Sequence, residues 1–206
     1  LADDPADELP IRVHGVVAGR GFHWQKRIDQ LLAGVLEFRA AEAGLVLINE
    51  LSLEDYLLGV ITAEMSGECP LAFLEAQIIV ARSWLLALTE PKHAAEPFER
   101  CNDDCCQRYQ GIGELSEVAR QAGANTRGLV LLNPAGGVLD ANYAKICGGI
   151  AEDPVAVWGA PKPGLRALVD APPTSELHSY YPVTDENVAE FVSRTARGAG
   201  DAFCSP

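Results

Sequence analysis

The segment from Leu71 to Leu88, LAFLEAQIIVARSWLLAL, constrains this chain more than any other. It is apolar around most of its circumference, so a helix made from it must be buried on nearly all sides. It also carries Glu75, Gln77, Arg82 and Ser83, and so lacks the roughly 20 continuous apolar residues of a membrane span. A globular core built around one central helix follows. Pro70 suits the first turn of that helix and Pro91 stops it, which sets the limits near 71 and 90.

The preceding helix is read from a change of period. Leu53, Leu57, Val60 and Ile61 recur at three and four residues, and Ser52 with Asp55 three positions on forms a capping box, so a helix runs from about Leu53 to Met65. Continuing the count reaches Glu64, which puts a carboxylate on the inward stripe. Partial burial disfavours the charged form of a carboxyl group, as an acid working near neutral pH requires. The helix alone equally allows a last-turn glutamate that reaches solvent or pairs with an arginine.

Around these helices the signals are mostly strand-like. IRVHGVV alternates, and LEFRAAEAGLVLIN places two apolar runs about Gly44, so residues 11–48 read as a small antiparallel meander. After the central helix come an irregular loop with one His and three Cys within 14 residues, a short amphipathic helix ending near Gly128, and an apparent hairpin over 129–145. A Pro-rich loop spans 171–182, and Val188, Phe191 and Val192 mark a last helix. The expected class is α+β, with mostly antiparallel strands packed around a central apolar helix pair. An acidic tail, 1–10, precedes one domain, 11–206, and a two-lobed form with a groove is left open.

A hydrophobic share of 48% over 206 residues supplies one sizeable core or two small ones. The formal net charge of -13 argues against a phosphate-tracking nucleic-acid surface and against an anionic membrane surface. The sequence begins at Leu1 and its single methionine is the internal Met65, so a processed or truncated chain is expected, with which the loss of a signal segment is compatible.

The stretch LSLEDYLLGVITAEMSGECPLAFLEAQIIVARSWLLA resembles the signature of the SpoIID/LytB family through Glu54, Tyr56, Leu57, Gly59, Val60, Glu64, Met65, Pro70, Ala76, Gln77, Ala81, Arg82 and Ser83. Further elements follow in the family's order: Cys106, Gln107, Tyr109 and Gly111, then Thr126, Gly128 and Val130, then Tyr143, Lys145, Gly148 and Gly149, then Trp158. Phe22, His23 and Trp24, with Cys147, bring the resemblance nearest to the LytB-like branch. It covers about residues 11–170.

What the resemblance implies is an extracytoplasmic lytic transglycosylase acting on peptidoglycan glycan strands, with Glu64 as catalytic acid and base. Arg82, Gln107, Tyr109, Tyr143 and Lys145 would bind substrate. Judged as isolated residues, Arg82 is as readily a structural ion pair, and the others are routine side chains of strand ends and loops. LytB-type proteins are also described as enhancers of a cell-wall amidase, so a non-catalytic, glycan-binding activator is the rival expectation.

The resemblance further implies a metal on His93, Cys101 and Cys106, with zinc the natural candidate for imidazole and thiolate ligands. Its role would be structural, since the chemistry needs no Lewis acid. Adjacent residues point apart in an extended chain, so Cys105 is not expected to share that ion with Cys106 without an unusual turn. Disulfides in place of metal, including a bridge between Cys69 and Cys105, free thiols, and a small metal-storage or redox protein stay open. Cys147 and Cys204 are given no role.

Overall fold

The computed structural model describes residues 9–42, 44–87, 92–196 and 200–204. Most of the acidic start, at 1–8, and the end of the apolar helix, at 88–90, lie outside the described residues. The chain is a mixed α+β protein with short antiparallel strands, divided into two compact units, Leu1–Leu131 and Leu132–Pro206.

In the first unit β1 (Ile11–Ala18) pairs antiparallel with β2 (Lys26–Leu32), and β3 (Val35–Ala41) with β4 (Gly44–Glu50). The expected meander is therefore two separate ladders. The break falls at Gly34, whose φ of 77° turns the chain where a Cβ would stand 2.6 Å from the Glu50 carbonyl oxygen. Asn49 holds the corner by donating from Nδ2 to the Ala33 carbonyl at 2.7 Å.

Three helices form the rest: α1 (Leu53–Glu64), α2 (Leu71–Ala87) and α3 (Glu117–Thr126). Ser52 caps α1 in both directions, accepting from the Asp55 amide at 3.2 Å and donating to the Asp55 carboxylate at 2.6 Å. Leu57, Val60 and Ile61 of α1, Leu74, Ile78 and Ala81 of α2, and Ala119 and Ala122 of α3 are fully buried. Burying each of the larger side chains contributes about 1.5–3 kcal/mol, so α2, packed against both other helices, organises this unit. No helix among the described residues is long and apolar enough to cross a membrane.

Gly59 shows how tightly the unit closes. A Cβ there would meet the Tyr109 ring at 2.4 Å and the Gly111 carbonyl oxygen at 2.9 Å. The ring cannot easily withdraw, because it stacks on Tyr56 at 5.4 Å and its hydroxyl donates to Asn49 Oδ1 at 2.9 Å. Gly59→Ala gains about 1 kcal/mol of helix propensity but forces an overlap that costs about 1–3 kcal/mol or more. A lower unfolding midpoint is expected, with the Gly59→Ala/Tyr109→Ala pair losing less than the sum of its parts.

The second unit is the shorter of the two. It contains β5 (Ile150–Ala151) paired antiparallel with β6 (Leu168–Val169), the short helix α4 (Pro154–Trp158), a 3-10 turn at Glu176–Tyr180, and α5 (Val188–Thr195). Ala171, Leu177 and Ala202 form a core cluster, with Val169, Tyr180, Phe191 and Cys204 packed against it. The hairpin expected over 129–145 reduces to one bridge, Leu132 to Val138. Its first arm is already engaged in the first unit, where the Leu129 carbonyl accepts from Arg82 at 2.9 Å and the Leu131 amide donates to Ser83 Oγ at 2.8 Å.

Candidate functional site

Glu64 is the last residue of α1 and is partly buried. Its Oε1 accepts a hydrogen bond from the backbone N–H of Arg108 at 2.9 Å. The helix stops directly behind it: Met65 caps α1, and Ser66 takes a φ of 104°, which a residue with a Cβ rarely adopts. The carboxylate is thus fixed by an amide on a neighbouring segment and by an abrupt helix end.

That segment, Cys106 to Gly111, has alternating tasks, with Gln107, Tyr109 and Gly111 buried and Arg108 and Gln110 less so. Gln107 donates from Nε2 to the Ala81 carbonyl of α2 at 3.1 Å. Tyr109 fills the space left by Gly59. Gly111, at φ 75°, lies where a Cβ would be 2.2 Å from the Leu31 carbonyl oxygen, and Ile112 donates to that same oxygen at 2.8 Å. Gln107 and Tyr109, expected to bind substrate, are buried here on either side of the residue whose amide holds Glu64.

Arg82 is fully buried. Its guanidinium forms a two-pronged ion pair with Glu54, Nε to Oε1 at 3.1 Å and Nη2 to Oε2 at 2.6 Å, and Nη1 donates to the Leu129 carbonyl. Glu54 also accepts from the Gly128 amide at 3.3 Å. Arg82 is a strut joining α1, α2 and the chain after α3, with no exposed surface to offer a sugar. Glu54 was visible in the motif, but nothing in a single sequence pairs residues 28 positions apart.

The side chain of Arg108, whose amide holds Glu64, belongs to an aromatic stack. Its guanidinium sits 4.4 Å from the Trp24 ring centre and pairs with Asp104 at 2.9 Å, while Trp24 stacks on the half-exposed Phe22 at 5.6 Å. The loop carrying these aromatics is tied down by Asp103, which accepts from the amides of Gly19 at 3.0 Å and Arg20 at 2.7 Å. Burial pushes the Asp103 carboxyl up, but the amides of Arg20, Asp104 and Gly19 together hold it below the usual carboxylate range. A lowered folded-state value means that this stabilisation is complete above the unfolded pKa of about 3.9 and is lost as pH falls through the folded one. Asp103→Asn should therefore cost roughly 1–3 kcal/mol near neutrality, and its unfolding midpoint should converge with the parent's in acid when both are followed by circular dichroism.

His93, Cys101, Cys105 and Cys106 place their ligand atoms within 4.8 Å of one another, so the four could hold one metal ion. The turn that Cys105 and Cys106 need in order to face one ion is present here. The chain is not extended at this point but turns, with the Cys106 amide donating to the Asp103 carbonyl at 2.9 Å, and both sulfurs face His93 Nε2, at 3.9 Å and 3.3 Å. Burial pushes the Cys106 thiol up to about 11, and the sulfurs of Cys101 and Cys105 add to that push. A bound cation would reverse the balance by favouring thiolates. All six cysteines are free, and Cys69 donates instead to the Met65 carbonyl at 3.5 Å, so a Cys69–Cys105 bridge is not formed.

Tyr143 and Lys145 belong to the second unit, Tyr143 partly buried and Lys145 exposed. The half-exposed Trp158, in the same unit, has the Lys162 ammonium 4.4 Å from its ring centre, and that ammonium pairs with Asp140 at 2.6 Å.

Fold and site together define an α+β domain that presents a carboxylate at a helix end, held by an amide two residues along the chain from an imidazole and thiol cluster. Residues 41–132 match the SpoIID family, described as Stage II sporulation protein. The match includes Glu64, Arg82, the His93 cluster, Gln107 and Tyr109, and stops before Tyr143 and Lys145. The chain is 30% identical over 135 residues to an uncharacterized protein of Brachyspira hyodysenteriae, an alignment covering 66% of this chain and 36% of the relative. It is 24% identical over 158 residues to Stage II sporulation protein D of Bacillus amyloliquefaciens, covering 70% of this chain and 45% of that protein. The alignments thus span between about a third and a half of these relatives' lengths.

Proposed function

We propose that this chain is a peptidoglycan lytic transglycosylase domain of the cell envelope, with Glu64 as its single acid and base. The observation that carries the reading is the hold on Glu64, whose Oε1 is fixed by the Arg108 amide at 2.9 Å while the carboxyl group stays only partly buried. In its protonated form Glu64 gives its proton to the leaving glycosidic oxygen as an oxocarbenium-like centre develops. The N-acetyl carbonyl of the muramic acid assists. The Glu64 carboxylate then takes the proton of the sugar's own O6 hydroxyl as that oxygen closes on C1. No water attacks, so the second carboxylate of ordinary glycosidases is not required.

The stacked Phe22 and Trp24 next to Arg108 suit the apolar face of a sugar ring, and Tyr143 and Lys145 are proposed as further substrate contacts. Zinc is the proposed ion for the His93 cluster, where it fastens the loop that leads directly into the Arg108 amide. The relative's name suggests sporulation as the setting. The test is digestion of intact and peptide-free glycan strands, with products weighed by mass spectrometry. Anhydro-muramyl ends support the reading and water-added ends overturn it. Binding without cleavage would instead leave a non-catalytic activator of a cell-wall amidase.

A further inference from the structure

The second unit carries its own convergence of ligands. Cys147, Asp170 and Cys204 come from three separate stretches of chain, yet their sulfur and carboxylate atoms all lie within 4.8 Å of one another. Cys147 Sγ stands 3.3 Å from Cys204 Sγ and 3.4 Å from Asp170 Oδ2. The sulfurs are farther apart than the ~2.05 Å of a disulfide bond. They are close to the ~3.7 Å that two thiolates span on one tetrahedral ion with metal–sulfur bonds of about 2.3 Å. All three side chains are partly buried.

Two further observations point to a cation. Gly148 and Gly149 both have positive φ, 74° and 97°, and the turn they make aims the Gly149 amide at Cys147 Sγ at 3.4 Å, which fixes the position of that sulfur. A Cβ at Gly149 would meet Leu177 at 2.7 Å, so the turn is also fitted into the core. A carboxylate packed against two sulfurs has no use in a disulfide, but it completes the charge and the donor set for a divalent ion. The three stretches are already joined by backbone, Asp170 donating to the Gly149 carbonyl and Phe203 to the Asp170 carbonyl, each at 2.8 Å. The core cluster they surround has three buried residues, and small units with little core are commonly stapled by a metal or by disulfides.

We propose that Cys147, Asp170 and Cys204 form a second metal site, independent of the His93 cluster, that takes a borderline-soft divalent cation of the zinc class and staples residues 132–206. It has three protein ligands and one position left for water. The test is zinc content per chain, measured by plasma mass spectrometry on protein purified under reducing conditions. Asp170→Asn and Cys204→Ser should each lower zinc by one equivalent relative to the parent, and Cys106→Ser should remove a different equivalent, so that the losses add. As a check that does not depend on the folding of Cys204→Ser, the parent is also alkylated with and without a chelator. Cys147 and Cys204 should be protected until zinc is withdrawn. Unchanged zinc in a folded Asp170→Asn, equal alkylation with and without chelator, or a Cys147–Cys204 disulfide in the parent would each overturn the proposal.

Discussion

Glu64→Gln is expected to lower the yield of anhydro-muramyl products by at least ~100-fold, the scale of general acid and base catalysis, while the unfolding midpoint stays almost unchanged. Glutamine keeps the size of the side chain and an oxygen that can accept from the Arg108 amide, now 2.9 Å from Glu64 Oε1, so the local geometry survives. What it cannot do is release and recover a proton. The pair of measurements separates the readings of this residue. Unfolding on substitution would make Glu64 a structural acceptor for the 106–111 segment, and undiminished cleavage would remove it from the chemistry altogether. Glu64→Ala is less informative, because it also deprives the Arg108 amide of its partner.

The largest loss of stability is expected from Arg82→Met, about 3–5 kcal/mol, the cost of breaking a buried ion pair by removing one partner. The Arg82 side chain is 1% exposed and that of Glu54 16% exposed, so the variant would strand a carboxylate with little solvent. Arg82→Lys should recover only part of the loss, since an ammonium cannot reproduce the fork to both Glu54 oxygens and also reach the Leu129 carbonyl. Arg82→Met with Glu54→Leu should be markedly more stable than Arg82→Met alone, which denaturant titration can measure. If Arg82→Met instead folded normally and lost only glycan binding, the strut assignment would be wrong.

The parts of this fold that were legible in the sequence are those with local causes. The period of Leu53, Leu57, Val60 and Ile61, the Ser52 and Asp55 cap, and the all-round apolar character of 71–87 each fix a helix within a few residues. Strand β2 was not picked out, because KRIDQLL opens with two charged residues and stands partly in solvent. The segment 129–145 misleads for the opposite reason. Its apolar run and paired glycines imitate a strand pair, but the backbone of Leu129 and Leu131 bonds to Arg82 and Ser83 of α2.

The site shows the same division. Glu64 was reached by counting along a helix, whereas the amide that holds it lies 44 residues away and has no side-chain signature. Arg82, Gln107 and Tyr109 were visible as motif residues, but a motif does not reveal whether a side chain faces solvent or core, and here all three face the core. The place of Cys105 depends on the turn at 103–106, which adjacent cysteines do not announce in the sequence.

The alternation along Cys106, Gln107, Arg108, Tyr109 and Gly111 makes this stretch a ruler as well as an anchor. Each position is committed to a different neighbour: a metal-ligand cluster, a carbonyl of α2, the carboxylate of Glu64, the notch at Gly59, and strand β2. A substitution disturbs one of these attachments and leaves the others in phase. Adding or removing a single residue between 106 and 111 shifts every later side chain to the opposite face, as in any stretch with a two-residue period. The spacing of this element therefore constrains variation more strictly than its composition, and natural or designed changes of loop length can be accommodated before Cys101 or after Gly111 but not within it.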